Sequence, residues 1–410
     1  MSNWSEQVKN NPYFCILPFN HLHIGTTGNA NLCCVANYLH PIETNMSGKT
    51  FEDIWYSKEY KNIRQTMLDN NPVKQCEGCY KLDNTGGGSD RQTHNKHFRP
   101  RSDDWDLDVN YGNTLKYPDW IDLRPGRFCN LGCRMCFVAV SSTVADEHKA
   151  HPELTEITGE SWFDIDEWIN DSKLYESIQK IIPVIKTIKL AGGEPLFMPG
   201  VIKLLKWCVD TGNTHLHLDI TTNGTRTQGK VTNWLKKFHR VDIQLSIDGI
   251  GYANDYIRHR SDWEQINAAY QTYSQLPNVF VNILATVQAY NAFELTKIIN
   301  YWKQHGAKNN LIFNFVDWPR DMVIDILPYE DRLEIANNIS DRVMDLSPEK
   351  KQQCRIDALV YRLQKQSADS DLENLRAHWA KRTVKYDQLR HQDINNVNNK
   401  LAGYVQEWIK

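Results

Sequence analysis

The chain has 410 residues, 41% hydrophobic and 24% charged, with a formal net charge of −3. That length exceeds one ordinary core and predicts two or three domains. The near-neutral balance supplies no basic field for nucleic acid, and no apolar run reaches the ~20 residues that span a bilayer. The opening Met-Ser-Asn-Trp-Ser-Glu-Gln lacks the charged-then-apolar pattern of an export signal, so a cytoplasmic protein is expected. In such a chain ten cysteines are expected to stay reduced and to bind metal or react.

In chain order, Leu22–Ile24 and Ala30–Cys34 flank Thr27-Gly28-Asn29 and predict a β-hairpin. Over Thr50–Leu68, Phe51, Ile54, Trp55, Ile63 and Met67 recur at helical spacing. The glycine run in Asn84–Ser89 predicts a flexible connection; it follows no strand and lacks the Lys-Ser/Thr ending of a phosphate loop. The basic run Arg91–Arg101 is read as a solvated linker, with a grip on a substrate phosphate or carboxylate as the alternative.

From Trp120 strands and helices alternate. Strands are predicted at Trp120–Leu123, Thr187–Leu190, His215–Thr222, Val241–Ile247, Val279–Val287 and Leu311–Val316. Amphipathic stretches at Val201–Val209, Lys230–Phe238, Trp263–Ser274 and Ala292–Lys303 lie between most of them. This pattern predicts an α/β fold with a parallel sheet and active-site residues at the strands' carboxyl ends. Phe137–Tyr175 is a polar, acidic interruption, and the residues after about 329 read as charged helices. Cys208 and Cys354 stand alone in helical stretches and are expected as ordinary core or surface thiols.

Cys129-Asn-Leu-Gly-Cys133-Arg-Met-Cys136 follows the strand at Trp120–Leu123. Three thiolates on so short a loop can hold three corners of a cubane and leave the fourth iron open to a ligand. A structural zinc ion instead takes four closed ligands. The chain here resembles the radical S-adenosylmethionine (SAM) enzymes, whose hallmark is this Cys-x3-Cys-x2-Cys loop. The resemblance runs over about residues 118 to 318. Ala191-Gly192-Gly193-Glu194-Pro195 is similar to the family's Gly-Gly-Glu motif, with Glu194 implied to accept from SAM's ammonium group. Thr221-Thr222-Asn223-Gly224 and Ser246-Ile247-Asp248-Gly249 resemble two further motifs in order. Ser246, Asp248 and Arg258 are implied to contact SAM's ribose or carboxylate, against plainer roles in which Asp248 caps a turn and Arg258 pairs with Asp255 or Asp262. The implied fold is a partial (β/α)6 TIM-type barrel over 118–328, followed by a helical region over 329–410.

Cys15, Cys33, Cys76 and Cys79 form a second set, with Gly28 four residues before Cys33. It resembles the twitch domain, the half-sized SPASM domain, in which four cysteines hold an auxiliary [4Fe–4S] cluster. Here that small α+β domain, over 1–100, would precede the barrel, joined by a linker over 101–117. A zinc site is the alternative for these thiols, and Cys34 is the alternative to Cys33. His21 and His23 are read as packing or hydrogen-bonding residues. The implied activity is reductive SAM cleavage followed by hydrogen abstraction from a peptide or protein, or alternatively from a sugar, nucleotide or other small metabolite. A flavodoxin or ferredoxin would supply electrons, and no side chain is singled out as a catalytic acid or base. A zinc-stabilised, non-catalytic adaptor is the reading of a different class.

Overall fold

The structure is a computed structural model describing residues 8, 10–37, 40–42, 46–84, 89–98, 107–108, 114–164, 168–227, 229–306, 309–367 and 369–409. The chain divides into two compact units. Met1–Arg127, Ile165–Ile220 and Lys237–Arg240 make the first; Phe128–Asp164, Thr221–Lys236 and Val241–Lys410 make the second.

In the first unit β1 (His21–Ile24) and β2 (Ala30–Asn31) form the expected antiparallel hairpin. Gly28 supplies the left-handed turn residue at φ +77°. β1 then continues a parallel sheet by pairing with β3 (Trp120–Leu123), β3 pairs with β4 (Thr187–Leu190), and β4 pairs with residues 217–220 of β5 (His217–Thr222). One face of this sheet is apolar and closed: Leu22, Ile24, Ile121, Leu123, Ile188, Leu190, Leu218 and Ile220 are each at most 1% exposed. Each such burial is worth about 1.5–3 kcal/mol before the entropic cost of ordering. A parallel connection needs a crossover, and between β4 and β5 it is the helix Pro199–Asp210.

Two expectations change here. Thr50–Leu68 is not one helix but two, Phe51–Trp55 and Lys58–Leu68. Ser57 is extended and accepts from the Tyr60 amide, which starts the second helix afresh. The basic run is no solvated linker where it is described: Asp90–Phe98 is a helix whose Arg91 and Asn95 are buried. Residues 85–88, 99–106 and 109–113 lie outside the described part, and with them the glycine run and most of the expected linker.

In the second unit β6 (Arg240–Ser246), β7 (Val279–Val287) and β8 (Leu311–Phe315) pair in parallel, Val241 opposite Val279 and Ile283 opposite Leu311. Helices Trp263–Ser274 and Leu295–Gly306 make their crossovers. The polar interruption folds into helices Ser142–Ala150 and Leu154–Thr158. The last eighty residues form helices Tyr329–Arg342, Pro348–Gln353, Ile356–Gln364, Leu372–Arg390 and Asn399–Trp408. All six predicted strands are present within two residues of their expected ends, so the alternating α/β reading holds. Among the described residues no helix is long and apolar enough to cross a membrane.

Candidate functional site

The cysteine triplet lies in the second unit, on a loop fixed at nearly every residue. The Cys129 amide donates to Ser142 Oγ at 3.0 Å, while Thr143 Oγ1 donates to the Cys129 carbonyl at 2.7 Å. Ser141 caps the helix Ser142–Ala150 and donates to the Leu131 carbonyl at 2.9 Å. Gly132–Cys133 forms a short antiparallel ladder with Arg258–His259, Cys133 facing Arg258. A side chain at Gly132 would press on Thr143, His259 and Arg390, its Cβ only 3.2 Å from the nearest atom.

Between the second and third cysteines stands Arg134, fully buried. Its guanidinium lies 3.7 Å from the centre of the Tyr256 ring, donates to the Tyr256 carbonyl at 3.0 Å, and reaches Asp387 at 2.5 Å and Gln392 at 3.0 Å. The C-terminal helix Leu372–Arg390 thereby anchors the cysteine loop, and Arg390 adds a bidentate pair to Glu147 on the helix that follows the loop. No motif marks Arg134; the only sequence signal is an arginine inside an otherwise uncharged cysteine loop.

Of the predicted SAM-side residues of this unit, Asn223 and Arg258 meet the same loop, and Asp248 joins it through Arg258. Asn223 Nδ2 donates to Asn130 Oδ1 at 2.9 Å, Asn130 Nδ2 donates to Thr225 Oγ1 at 2.9 Å, and Thr225 donates back to Asn223 Oδ1. Gly224, at φ +77°, has no room for a side chain: its Cβ would come within 2.6 Å of Leu245. Asp248 accepts from the Thr286 amide at 2.7 Å and pairs with Arg258 at 2.8 Å. Arg258 in turn places a guanidinium nitrogen 3.9 Å from Cys133 Sγ. Arg258 therefore pairs neither with Asp255, which accepts from Ser261 and the Trp263 amide, nor with Asp262, which caps the helix Trp263–Ser274. Ser246 is buried at the end of β6.

The thiols are electrostatically linked. The Cys133 thiol is pushed below its ordinary value, chiefly by a hydrogen bond with Cys136 and despite burial, with Arg258 adding to the effect. Burial pushes Asp248 up, and the Arg258 guanidinium opposes it.

Gly192–Glu194 belong to the first unit. The Gly193 amide donates to the Gly126 carbonyl at 3.2 Å, and a Cβ on Gly192, at φ +108°, would lie 2.9 Å from that same oxygen. Glu194 is buried, and its Oε1 accepts from the Leu196 amide at 3.1 Å.

The first unit also brings Cys15, Cys33, Cys76 and Cys79 to the wall of one pocket, with Arg91 and Asp90 beside them. Cys34 is not on that wall. Cys15 is held from both sides: Asn95 Oδ1 accepts from the Ile16 amide at 2.8 Å, and Asn95 and Arg91 both donate to the Phe14 carbonyl. Arg91 is fixed by Asp83 at 2.6 Å. Burial pushes the Cys15 and Cys33 thiols up strongly and Cys76 to about 12, with neighbouring cysteines adding to it. Held as thiolates, these four groups would need a cationic group to compensate them, because burial disfavours their charged form. Among the described residues no three His, Cys, Asp or Glu side chains converge tightly enough for a single metal ion. Four thiols on one pocket wall match the donor number of a cubane, which takes one thiolate at each corner.

Comparison with known proteins agrees with this division. Residues 123–286 match the radical SAM superfamily, and residues 15–80 match an iron–sulfur cluster-binding domain, SPASM. The 7,8-dihydro-6-hydroxymethylpterin dimethyltransferase of Methanocaldococcus jannaschii is 32% identical over 125 residues, 30% of this chain and 21% of that protein. The sporulation killing factor maturation protein SkfB of Bacillus subtilis is 24% identical over 182 residues, 44% of this chain and 38% of that protein. The chain thus spans well under half the length of either relative. Streptococcus suis SuiB bound to precursor peptide SuiA aligns with TM-score 0.39 and 12% identity, over 66% of this chain and 60% of that one. Native anSMEcpe with bound AdoMet and a peptide aligns with TM-score 0.35 and 18% identity, over 54% and 58%. The matched families work with a [4Fe–4S] cluster and SAM, and with an auxiliary cluster. The donor chemistry fits both groups: three clustered thiols with a cation against one of them, and four thiols around a pocket. The chain thus carries a domain of the radical SAM superfamily over residues 123–286, preceded by an iron–sulfur cluster-binding domain of the SPASM type over residues 15–80.

Proposed function

We propose that Cys129, Cys133 and Cys136 hold the SAM-cleaving [4Fe–4S] cluster, that Cys15, Cys33, Cys76 and Cys79 hold an auxiliary one, and that the enzyme abstracts hydrogen from a peptide or protein substrate. The observation that carries the reading is the three-thiol loop, pinned by Arg134 and backed by Arg258 against Cys133. With its cofactors bound, such a site supplies a 5′-deoxyadenosyl radical from SAM. The protein's own part is to hold, orient and keep dry. Arg258 offsets negative charge at Cys133, and Asp248 fixes the direction of its guanidinium. Asn223 holds Asn130, and with it the backbone beside Cys129. Glu194, with glycine backbone ahead of it, is assigned to SAM's ammonium group, and Ser246 to its ribose or carboxylate. A radical able to attack most C–H bonds requires its target to be held closely, so rigid elements serve this chemistry better than mobile ones.

The peptide assignment draws on the Bacillus relative, a maturation protein for a sporulation killing factor. The pterin-modifying relative supports a small-metabolite substrate as the second reading. Anaerobically reconstituted protein with SAM and dithionite should release 5′-deoxyadenosine and methionine. Absence of both from iron-replete protein would overturn the assignment. Adding peptide or pterin extracts separately and following consumption by mass spectrometry separates the two substrates.

A further inference from the structure

Among the described residues that wall the N-terminal pocket, Arg91 is the one cation and Asp90 the one anion. Arg91 is buried, only 8% exposed, and its guanidinium is locked. Nε and Nη2 donate to Asp83 Oδ2 at 2.8 and 2.6 Å, and Nη1 donates to the Phe14 carbonyl at 2.7 Å. All three nitrogens of the planar fork are thus committed, and the charge stays where it is. Phe14 precedes Cys15, so the same fork also fixes the backbone that carries this thiol.

One residue reaches three of the four thiols. Burial pushes Cys15 and Cys76 up, and the Arg91 charge opposes it at both. Burial pushes Cys79 up as well, and there hydrogen bonds from the Arg91 amide and the Ser89 side chain oppose it. Ser89 is buried and accepts from the Gln92 amide at 3.2 Å. The first turn of the helix Asp90–Phe98 has amides that no earlier turn can satisfy, and one of them is turned to a cysteine.

Packing does not call for this arrangement, since a buried ion pair is often no better than apolar groups of the same volume. Charge has a use here. How readily an iron–sulfur cluster takes up an electron depends on the charge and hydrogen bonds around its sulfurs. A fixed cation favours the reduced, more negative form. Two carboxylates oppose Arg91, but Asp83 is not among the wall residues, and Asp90 is half-buried and better screened by water.

We propose that Arg91 acts through the cysteines to set the reduction potential of the auxiliary cluster, making an electron easier to accept, with Asp83 as the counterweight. The inference rests on the assignment of that cluster to Cys15, Cys33, Cys76 and Cys79. The step is the transfer of one electron from a reductant to the oxidised cluster, in which no bond forms or breaks.

The test uses the full chain carrying Cys129→Ala/Cys133→Ala/Cys136→Ala, so that only the N-terminal set can hold a cluster. An anaerobic titration with dithionite, followed by electron paramagnetic resonance, reads the midpoint. At the midpoint of this parent, Arg91→Gln should lower the ratio of reduced to oxidised cluster about tenfold, a downward shift of about 59 mV. Arg91→Lys keeps the charge and should recover at least half of that shift. Asp83→Asn should move the midpoint upward. A packing role predicts no such opposition of sign. Iron content identifies a variant that has lost its cluster; if Arg91→Gln is one, the direction of Asp83→Asn decides. If the triple variant does not fold, the same comparison is made on the holoenzyme, where the triplet cluster adds a second wave. An unmoved midpoint in Arg91→Gln, an Arg91→Lys shift as large as that of Arg91→Gln, or a fall in Asp83→Asn overturns the inference. If the folded triple variant binds zinc or no iron at all, the auxiliary-cluster reading falls and this inference with it.

Discussion

The two cysteine sites use the same side chain in different surroundings. The triplet loop brings a buried cation to Cys133, and a hydrogen bond between Cys133 and Cys136 eases the loss of the Cys133 proton while it and burial push the Cys136 thiol up. In the N-terminal pocket desolvation dominates, and Cys15, Cys33 and Cys76 all resist ionisation. The number of donors points the same way. Three thiols leave one position of a cubane for an incoming ligand, whereas four close it. The difference teaches that donor count around a cluster, more than the cysteine itself, separates a site built to react from one built to hold.

The sharpest way to break this comparison is to delete each site in turn. Cys129→Ala/Cys133→Ala/Cys136→Ala should remove about half the iron and all 5′-deoxyadenosine formation, given one four-iron cluster per set. Cys76→Ala/Cys79→Ala should remove a similar share of iron while SAM cleavage without substrate persists. Iron analysis and product chromatography on both variants decide it. If the second variant, still folded, is as dead as the first, the two sites are not separable in function.

Next in size is the support of the reactive loop. Arg134→Met removes a buried guanidinium from Tyr256, Asp387 and Gln392 and should cost about 3 kcal/mol in denaturant unfolding. Amide exchange in the helix Leu372–Arg390 should rise with it. An unchanged exchange pattern would mean that the C-terminal helix does not hold the loop.

A pH effect is expected from the first unit. Burial pushes His21 down to about 3, so the unfolded chain binds a proton that the folded one refuses. Its contribution is complete above about pH 6.5 and is lost as pH falls toward 3, the loss amounting to about 2 kcal/mol by pH 5. Unfolding of wild type and His21→Asn at pH 7 and pH 5 should show a shallower loss in the variant. Equal slopes would contradict the assignment.

The smallest effect is expected at the pocket wall. Arg91→Lys keeps a charge but loses the fork that spans Asp83 and the Phe14 carbonyl, and should cost about 1–2 kcal/mol. Iron should leave the N-terminal site faster under a chelator, with the triplet site unaffected.

Much of this was legible beforehand. Strand alternation gave all six barrel strands because Ile121, Ile188, Leu218 and their neighbours must bury one face, which imposes a period of two. The cysteine sets were legible because their spacing is set by the size of the group they would hold. The two errors share a cause. Ser57 has no apolar role, so hydrophobic spacing passes over it, yet its hydroxyl ends one helix and begins another. Arg91 is as charged as any linker residue, yet Asp83 and the Phe14 carbonyl repay its burial. Those partners lie eight and seventy-seven positions away, and no local pattern announces them.

The sequence by itself determined the alternation of strand and helix and the two cysteine sets, because period and spacing are properties of neighbouring residues. Tertiary structure decided the rest. It put Cys33 rather than Cys34 on the pocket wall, turned Arg258 to Asp248 and Cys133, tied Arg134 to a helix more than two hundred and fifty positions away, and lined Asn31, His23, Asp122, Lys189 and Asp219 into one row. Each of these depends on which strands pair and in what register, and a shift of one residue would send the whole row to the opposite face.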